Sequence, residues 1–302
     1  MKETAIQQSE EKKVAVNGIE INYDTFGDPS NPPMLLIMGL GMQMIRWDED
    51  FCKMLAEQGF WVIRFDNRDV GFSSHMDSAG IPDIPKLMTG AAVEVPYKLI
   101  DMAKDAVGLM DALKIEQAHI VGISMGGMIA QTIAIHYPER VLTLTSMSSS
   151  TGDPQLPPPT PEAQVLLFAP RNPEGREAYI DQQLETWTTL AGPNFPLDEA
   201  RTREAAGRSY DRGLNPAGFA RQFAAILASG SRKEALQSLQ MPTLVTHGTA
   251  DPLIPVQAGY ATAEAIPGSK LEIIEGMGHE NPPEIWTHMV ELITHHAHQV
   301  QA

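Results

Sequence analysis

The sequence predicts an α/β protein with a mostly parallel sheet covered by helices on both faces. Three observations carry that class. Short apolar runs at 34–38, 61–65, 118–122 and 141–146 alternate with segments of helical periodicity. The runs are mainly apolar on both faces, as strands buried on both faces are. After about residue 150 the alternation gives way to helical sequence, and strand-like runs return at 243–247 and 270–274.

Taken in order, Val14-Ala15-Val16, Asn17-Gly18 and Ile19–Tyr23 read as a β-hairpin. Asn-Gly supplies the two positive-φ positions of a tight turn, and Ile19, Ile21 and Tyr23 alternate. Asp28–Pro33 is a loop, 34–38 a strand and Gly39-Leu40-Gly41 a glycine-rich turn. A helix over 48–58 ends at Gly59, and Trp61–Phe65 is the next strand. Segment 72–98, punctuated by Gly and Pro, reads as a loop near the sheet edge. A helix over 101–114 gathers Met102, Ala106, Leu109, Met110 and Leu113 on one side. Strand 118–122, helix 126–136 and strand 141–146 follow, and then prolines 154, 157–159 and 161 break the pattern. From 161 to 238 the chain is helical, with segments at 197–211 and 216–228. A last helix covers 283–298. The expected organisation is a core in two parts, 1–150 and 241–302, with a helical insertion at 151–240.

With 302 residues the chain can form one large domain with an insertion. A formal charge of −16 argues against nucleic acid or an anionic membrane as partner, because phosphate binding needs clustered Lys and Arg. It points to neutral or apolar substrates over polyanions. The single cysteine, Cys52, allows no intramolecular disulfide and reads as a buried structural thiol. The polar first residues lack a signal-peptide core, and Met34–Met38 is too short to span a bilayer, so a cytoplasmic protein is expected. Oligomeric state is not encoded legibly. No metal or organic cofactor is expected, since the histidines form no ligand pattern: His288, His295, His296 and His298 fall on the last helix and read as solvated.

Gly122-Ile123-Ser124-Met125-Gly126 fits G-x-S-x-G between a predicted strand and a predicted helix. At so sharp a corner side chains at 122 and 126 would collide, and glycine removes them. The turn lifts the Ser124 hydroxyl above the strand end, beside a helix N-terminus that favours an anion. A serine nucleophile needs a base. His279 is the candidate, in the glycine-rich loop Glu275–Pro282 after the last strand. For the carboxylate that orients it there are two candidates, Asp251 after strand 243–247 and Asp153 after strand 141–146. Asp251 is preferred, because the order Ser124, Asp251, His279 matches the Ser…Asp…His order that accompanies such an elbow.

With these residues in view the chain resembles the α/β-hydrolase superfamily, capped branch, over nearly its whole length. The pieces are LLIMGLG (35–41), RFDNRDVGFS (64–73), VGISMGGMIAQ (121–131), HYPERV (136–141), PTLVTHGTADPLIP (242–255) and IIEGMGHE (273–280). Within it the sequence is similar to the aclacinomycin methylesterase group of serine esterases. The resemblance implies an eight-stranded sheet with a helical cap after strand six. It also implies an oxyanion hole of backbone N–H groups, from Leu40 and Met125, with Gly41 in reserve. Where many members carry His-Gly after strand three, this chain has Met38-Gly39. Asp66-Asn67-Arg68-Asp69 reads as a structural hydrogen-bonded turn. Ester hydrolysis of a small molecule is expected. C–C hydrolysis, lactone opening or perhydrolysis by the same triad stand as alternatives, and a non-enzymatic ligand receptor on the same scaffold as one of another class.

Overall fold

In the computed structural model, which describes residues 6–169 and 174–300, eight strands form one sheet in the order β1-β2-β4-β3-β5-β6-β7-β8. The strands are β1 Lys12–Val16, β2 Ile19–Phe26, β3 Pro33–Ile37, β4 Trp61–Phe65, β5 Ala118–Ile123, β6 Val141–Met147, β7 Thr243–Gly248 and β8 Lys270–Ile274. Only β2 runs against its neighbours; from β4 to β8 every pairing is parallel. The β1–β2 hairpin closes at Val16↔Ile19, with φ of 48° at Asn17 and 79° at Gly18, the two positive values its short turn requires.

The parallel strands are covered on both sides, which is why their sequences are mainly apolar at successive positions. Leu35 and Ile37 of β3 point to one face, where they meet α3 (Leu99–Ala112) and α4 (Met125–His136). Met34 and Leu36 point to the other, toward α1 (Glu49–Glu57) and α11 (Trp286–Ala297). The side-chain period of two puts successive residues in different cores. Truncating a side chain as enclosed as Leu36 would cost about 2–5 kcal/mol. Cys52 of α1 is fully buried in the second core, where burial pushes its thiol up to about 12.

Segment 72–98 departs from a simple loop. It contains a 3-10 turn, Asp77–Ala79, and a short helix α2 (Ile84–Met88) capped by the Asp83 carboxylate. It lies against α8 (Pro216–Ser229) as well as against β2. The alternation at the C-terminus also hides an exception. His296 of α11 is buried, not solvated, and burial holds its imidazole below the usual range. Its helix lies against β6 and β7, and position 296 falls on the sheet-facing stripe with Ile293 and Ala297.

Between β6 and β7 stand α5 (Pro161–Phe168), α6 (Arg176–Leu190), α7 (Glu199–Asp211), α8 and α9 (Lys233–Leu236). They are joined to the core by a polar hub at the end of β4. Asp69 takes a two-pronged ion pair from Arg221 of α8, at 2.7 and 2.9 Å, and a hydrogen bond from the Tyr97 hydroxyl at 2.6 Å. Asp66 accepts from the Met44 N–H at 2.7 Å and from Arg212, which follows α7. Arg68 pairs with Asp105 of α3. The turn Asp66–Asp69 is thus structural, as its sequence implies, and it fastens the helical segment to the sheet. Helix α10 (Gln257–Ala265) completes the core beside β7 and β8.

Candidate active site

Ser124 occupies the corner between β5 and α4 with φ 57° and ψ −123°, a conformation costly for a residue with a side chain. Three hydrogen bonds hold its backbone there: Ser124 N–H donates to the Met147 carbonyl at 2.9 Å, and the Ser124 carbonyl accepts from the Ser149 hydroxyl at 2.8 Å and the Met128 N–H at 3.2 Å. The flanking glycines make the corner possible. A Cβ at Gly122 would lie 2.1 Å from the Gly126 carbonyl oxygen, and one at Gly126 would lie 2.0 Å from the Ile37 carbonyl oxygen. One glycine therefore admits the helix and the other admits β3.

The end of β7 carries Asp251 and the loop after β8 carries His279. These loops interlock: Ala250 N–H donates to the Met277 carbonyl at 3.0 Å, and a Cβ on Gly248 would lie 2.1 Å from that same oxygen. The result is a short chain of contacts. His279 Nδ1 lies 2.7 Å from Asp251 Oδ2, and His279 Nε2 lies 3.0 Å from Ser124 Oγ. A carboxylate only accepts, so Nδ1 carries the proton and Nε2 is left to accept from the serine hydroxyl. Asp251 and His279 are both buried.

Burial alone would raise the Asp251 carboxyl. Electrostatic attraction to the His279 ring, its Nδ1–H hydrogen bond and the nearby His247 outweigh it and hold the group at about 2. Leu253 and Ile254 N–H donate to its Oδ1 at 2.9 and 2.8 Å. His247, not singled out by the sequence, stands behind: its Nε2 donates to the Ile254 carbonyl at 2.7 Å and lies 3.4 Å from Asp251 Oδ2. Asp153, the rival carboxylate, is engaged elsewhere, by Lys233 at 2.8 Å.

The loop after β3 closes over the serine. A Cβ at Gly39 would lie 3.2 Å from Ser124 Cβ. Asn67 Nδ2 holds the loop through the Met38 carbonyl at 3.0 Å. Gln222 of α8 accepts from the Gly41 N–H at 2.8 Å and donates to the Arg68 carbonyl at 2.7 Å. The Gly41 N–H is thereby spent, so Gly41 falls out as the reserve donor. The Leu40 N–H makes no hydrogen bond among the described residues. Met125 is the first residue of α4, where a backbone N–H has no partner within its helix.

Above these groups lies a cavity of about 160 Å³. Ser124 and His279 line it from the core, and Leu166, Trp187, Leu190 and Phe219 line it from the helical segment. Of the other aromatics in that segment, Tyr179 and Tyr210 face each other with ring centroids 5.9 Å apart, and Phe168 meets Phe223 at 6.1 Å. Phe195 joins the core cluster beneath α11. The wall is not wholly apolar, since Arg46 and Glu280 also line it. Neither was singled out as a site residue in the sequence, although Glu280 closes the stretch IIEGMGHE.

Sheet order, elbow and the His279 loop define a hydrolase of the α/β hydrolase fold. A model of the family described as alpha/beta hydrolase fold matches residues 32–284, and the chain belongs to that family. It is 31% identical over 281 residues to the rhodomycin D methylesterase DauP of Streptomyces sp. (strain C5), covering 85% of this chain and 87% of that protein. It is 28% identical over 279 residues to 3-oxoadipate enol-lactonase 2 of Acinetobacter baylyi, covering 91% and 93%. Among solved structures, 2-hydroxy-6-oxo-6-phenylhexa-2,4-dienoate hydrolase from Rhodococcus sp. strain RHA1 superposes with a TM-score of 0.75. That alignment, at 22% identity, spans 96% of this chain and 99% of the other, and it shows the shared fold. No helix among the described residues is long and apolar enough to cross a membrane.

Proposed function

We propose that the protein is a serine hydrolase that cleaves a carboxylic ester of a small molecule through an acyl-enzyme intermediate. The observation that carries this reading is the Ser124–His279–Asp251 hydrogen-bond chain, opening onto a mostly apolar cavity. His279 Nε2 takes the Ser124 proton as Oγ attacks the acyl carbon. Asp251 keeps the imidazole in the Nδ1–H form and stabilises the imidazolium without taking its proton. Leu40 and Met125 N–H groups receive the developing oxyanion. His279 then protonates the departing alcohol, and a water activated by His279 releases the acid.

Residues 151–240 act in this scheme as a cap that keeps bulk water from the acyl-enzyme. A cavity of about 160 Å³ favours a compact ester, since pockets for drug-sized ligands run to roughly 300–1,000 Å³. Similarity to a methylesterase over most of both chains supports ester cleavage. Similarity to an enol-lactonase over 91% of this chain supports a second reading, opening of a lactone, which is the same acyl transfer on a cyclic ester. Fluorophosphonate labelling tests the proposal. Wild type is labelled and Ser124→Ala is not; absence of labelling in folded wild type, with no turnover of any ester or lactone, would refute it.

A further inference from the structure

Arg46 stands at the end of a 3-10 turn, Met44–Arg46, in the loop that follows β3. Its guanidinium lies 4.4 Å above the Trp187 ring of α6 and faces the cavity. Among the described residues it makes no side-chain hydrogen bond and no ion pair, unlike Arg64, Arg68, Arg212 and Arg221, each of which is matched to a carboxylate. Arg201, at the same cavity's rim, is matched to Asp48 at 2.6 Å and Asp50 at 3.2 Å. Among the described residues that line the cavity, Arg46 is therefore the one arginine with its hydrogen-bonding donors unspent.

Glu280 lines the same cavity from the loop after β8 and is nine-tenths buried. Its Oε1 has no hydrogen-bond partner among the described residues. Trp47 Nε1 and Asn281 Oδ1, on two further lining residues, are buried without partners as well. Native interiors leave few such atoms, and three of them on neighbouring lining residues mark the wall beside Arg46 as polar and short of internal partners. Burial raises the Glu280 carboxyl to about 7, with Glu284 adding to the rise and Arg46 and His279 opposing it. Burial also lowers Arg46, against the pull of Glu280, Tyr179 and Asp48.

We infer that the substrate carries a free carboxylate remote from its scissile carbonyl, which Arg46 receives while Glu280, in its protonated form, donates to it. This deepens the esterase reading and rests on it. The charges balance as follows. With Glu280 ionised, Arg46 already has a counter-charge in the cavity, and an incoming carboxylate is repelled. With Glu280 protonated, the substrate carboxylate becomes the counter-ion of Arg46, and the Glu280 O–H supplies a hydrogen bond to it. Binding of the anionic ester thus takes up one proton when it starts from ionised Glu280. The whole-chain charge favours neutral esters, and Asp48 and Asp198 line this same cavity, but both are paired with Arg201, at 2.6 and 4.0 Å, which leaves the Arg46 guanidinium to a ligand, while carboxylates farther off are screened by water and salt.

Two matched pairs test this, one for each side of the ester: monoethyl adipate against ethyl hexanoate, and 4-carboxyphenyl butyrate against 4-methylphenyl butyrate. The readout is the ratio of kcat/KM, anionic over neutral, which cancels any pH dependence the two substrates share. In at least one pair the ratio at about pH 6 is about 10 or more, and it falls by about pH 8. Arg46→Met collapses the ratio, and Glu280→Gln makes it level across the same pH span. A ratio below one in both pairs, or an equal loss on both members in Arg46→Met, overturns the assignment while leaving the Ser124 mechanism standing. If folded wild type cleaves no ester at all, the mechanism fails instead, and calorimetry with adipate decides the subsite separately. Binding that Arg46→Met abolishes upholds it; no binding, or binding the variant retains, overturns it.

Discussion

The backbone N–H of His279 donates to the carbonyl of Leu190 at 2.9 Å, so the loop carrying the imidazole hangs from the last residue of α6. The contact is close on both sides. A Cβ at Gly278 would lie 2.1 Å from that same Leu190 oxygen, and one at Gly192 would lie 2.0 Å from the Gly276 carbonyl oxygen. The helical segment therefore helps to position His279 as well as to cover it. Gly278→Ala is expected to fold and to lose about 10²-fold in kcat, because displacing a reacting group by about 1 Å costs that much. Steady-state kinetics beside a melting curve checks it, and wild-type kcat would show that the loop has slack.

Replacing Ser124 separates chemistry from strain. Ser124→Ala and Ser124→Gly both lose ester turnover by about 10⁴-fold or more. At φ 57° and ψ −123° the alanine keeps the backbone cost and the glycine does not. The glycine variant should be more stable than the alanine variant by about 1–3 kcal/mol in denaturant unfolding. Equal stabilities would mean that the elbow stores no strain.

For Asp251→Asn a folded protein with kcat lowered about 10⁴-fold is expected, since an amide no longer enforces the Nδ1–H form. The same substitution changes acid behaviour. The carboxyl lies near 2 in the fold against an ordinary 3.8, so its stabilisation is present above 3.8 and is lost as pH falls toward 2. That contribution is on the order of 2 kcal/mol at neutral pH. The stability of Asp251→Asn should therefore fall less steeply than that of wild type over this acid range, as chemical denaturation at a series of pH values would read.

Glu280 has the opposite sign. Its carboxyl is raised from 4.5 to about 7, so the fold is at no disadvantage from it below 4.5 and loses stability as pH rises through 7. Glu280→Gln should match wild type near pH 4 and exceed it near pH 8, by up to about 3 kcal/mol. A constant difference across that range would remove the burial cost from the account.

The Asp69–Arg221 pair is fully buried and spans 152 positions of the chain. Arg221→Met leaves Asp69 without its charge partner, and a loss of about 3–5 kcal/mol is expected. Because the pair fastens α8 to the end of β4, and α8 also carries Gln222 to the loop at 38–41, ester turnover should fall together with stability. Denaturation midpoints and kcat measured on one preparation check the coupling.

Local chemistry wrote much of this into the chain. The strand Trp61–Phe65, the Asn17-Gly18 turn and the corner at Ser124 are where the sequence puts them, because side-chain period, positive φ and missing Cβ atoms are properties of a few consecutive residues. Ser124, Asp251 and His279 could be singled out because each follows a strand at the same end of a parallel sheet. Their mutual distances could not, since 155 positions separate the serine from the histidine and only the packed sheet brings them to 3.0 Å.

Partnership across the fold was decided by tertiary structure alone. His296 looks like its exposed neighbours His295 and His298 until α11 is laid on the sheet. Arg46 and Arg201 look alike as charges until Arg201 pairs with Asp48 and Arg46, among the described residues, lies over an aromatic ring beside the cavity with no carboxylate at ion-pair distance. Gly41 could serve the oxyanion until Gln222, 181 positions away, takes its N–H. Pattern along the chain reports which face a residue turns to the core, because that depends on its neighbours in sequence. It does not report which groups meet there, because that depends on how whole elements pack.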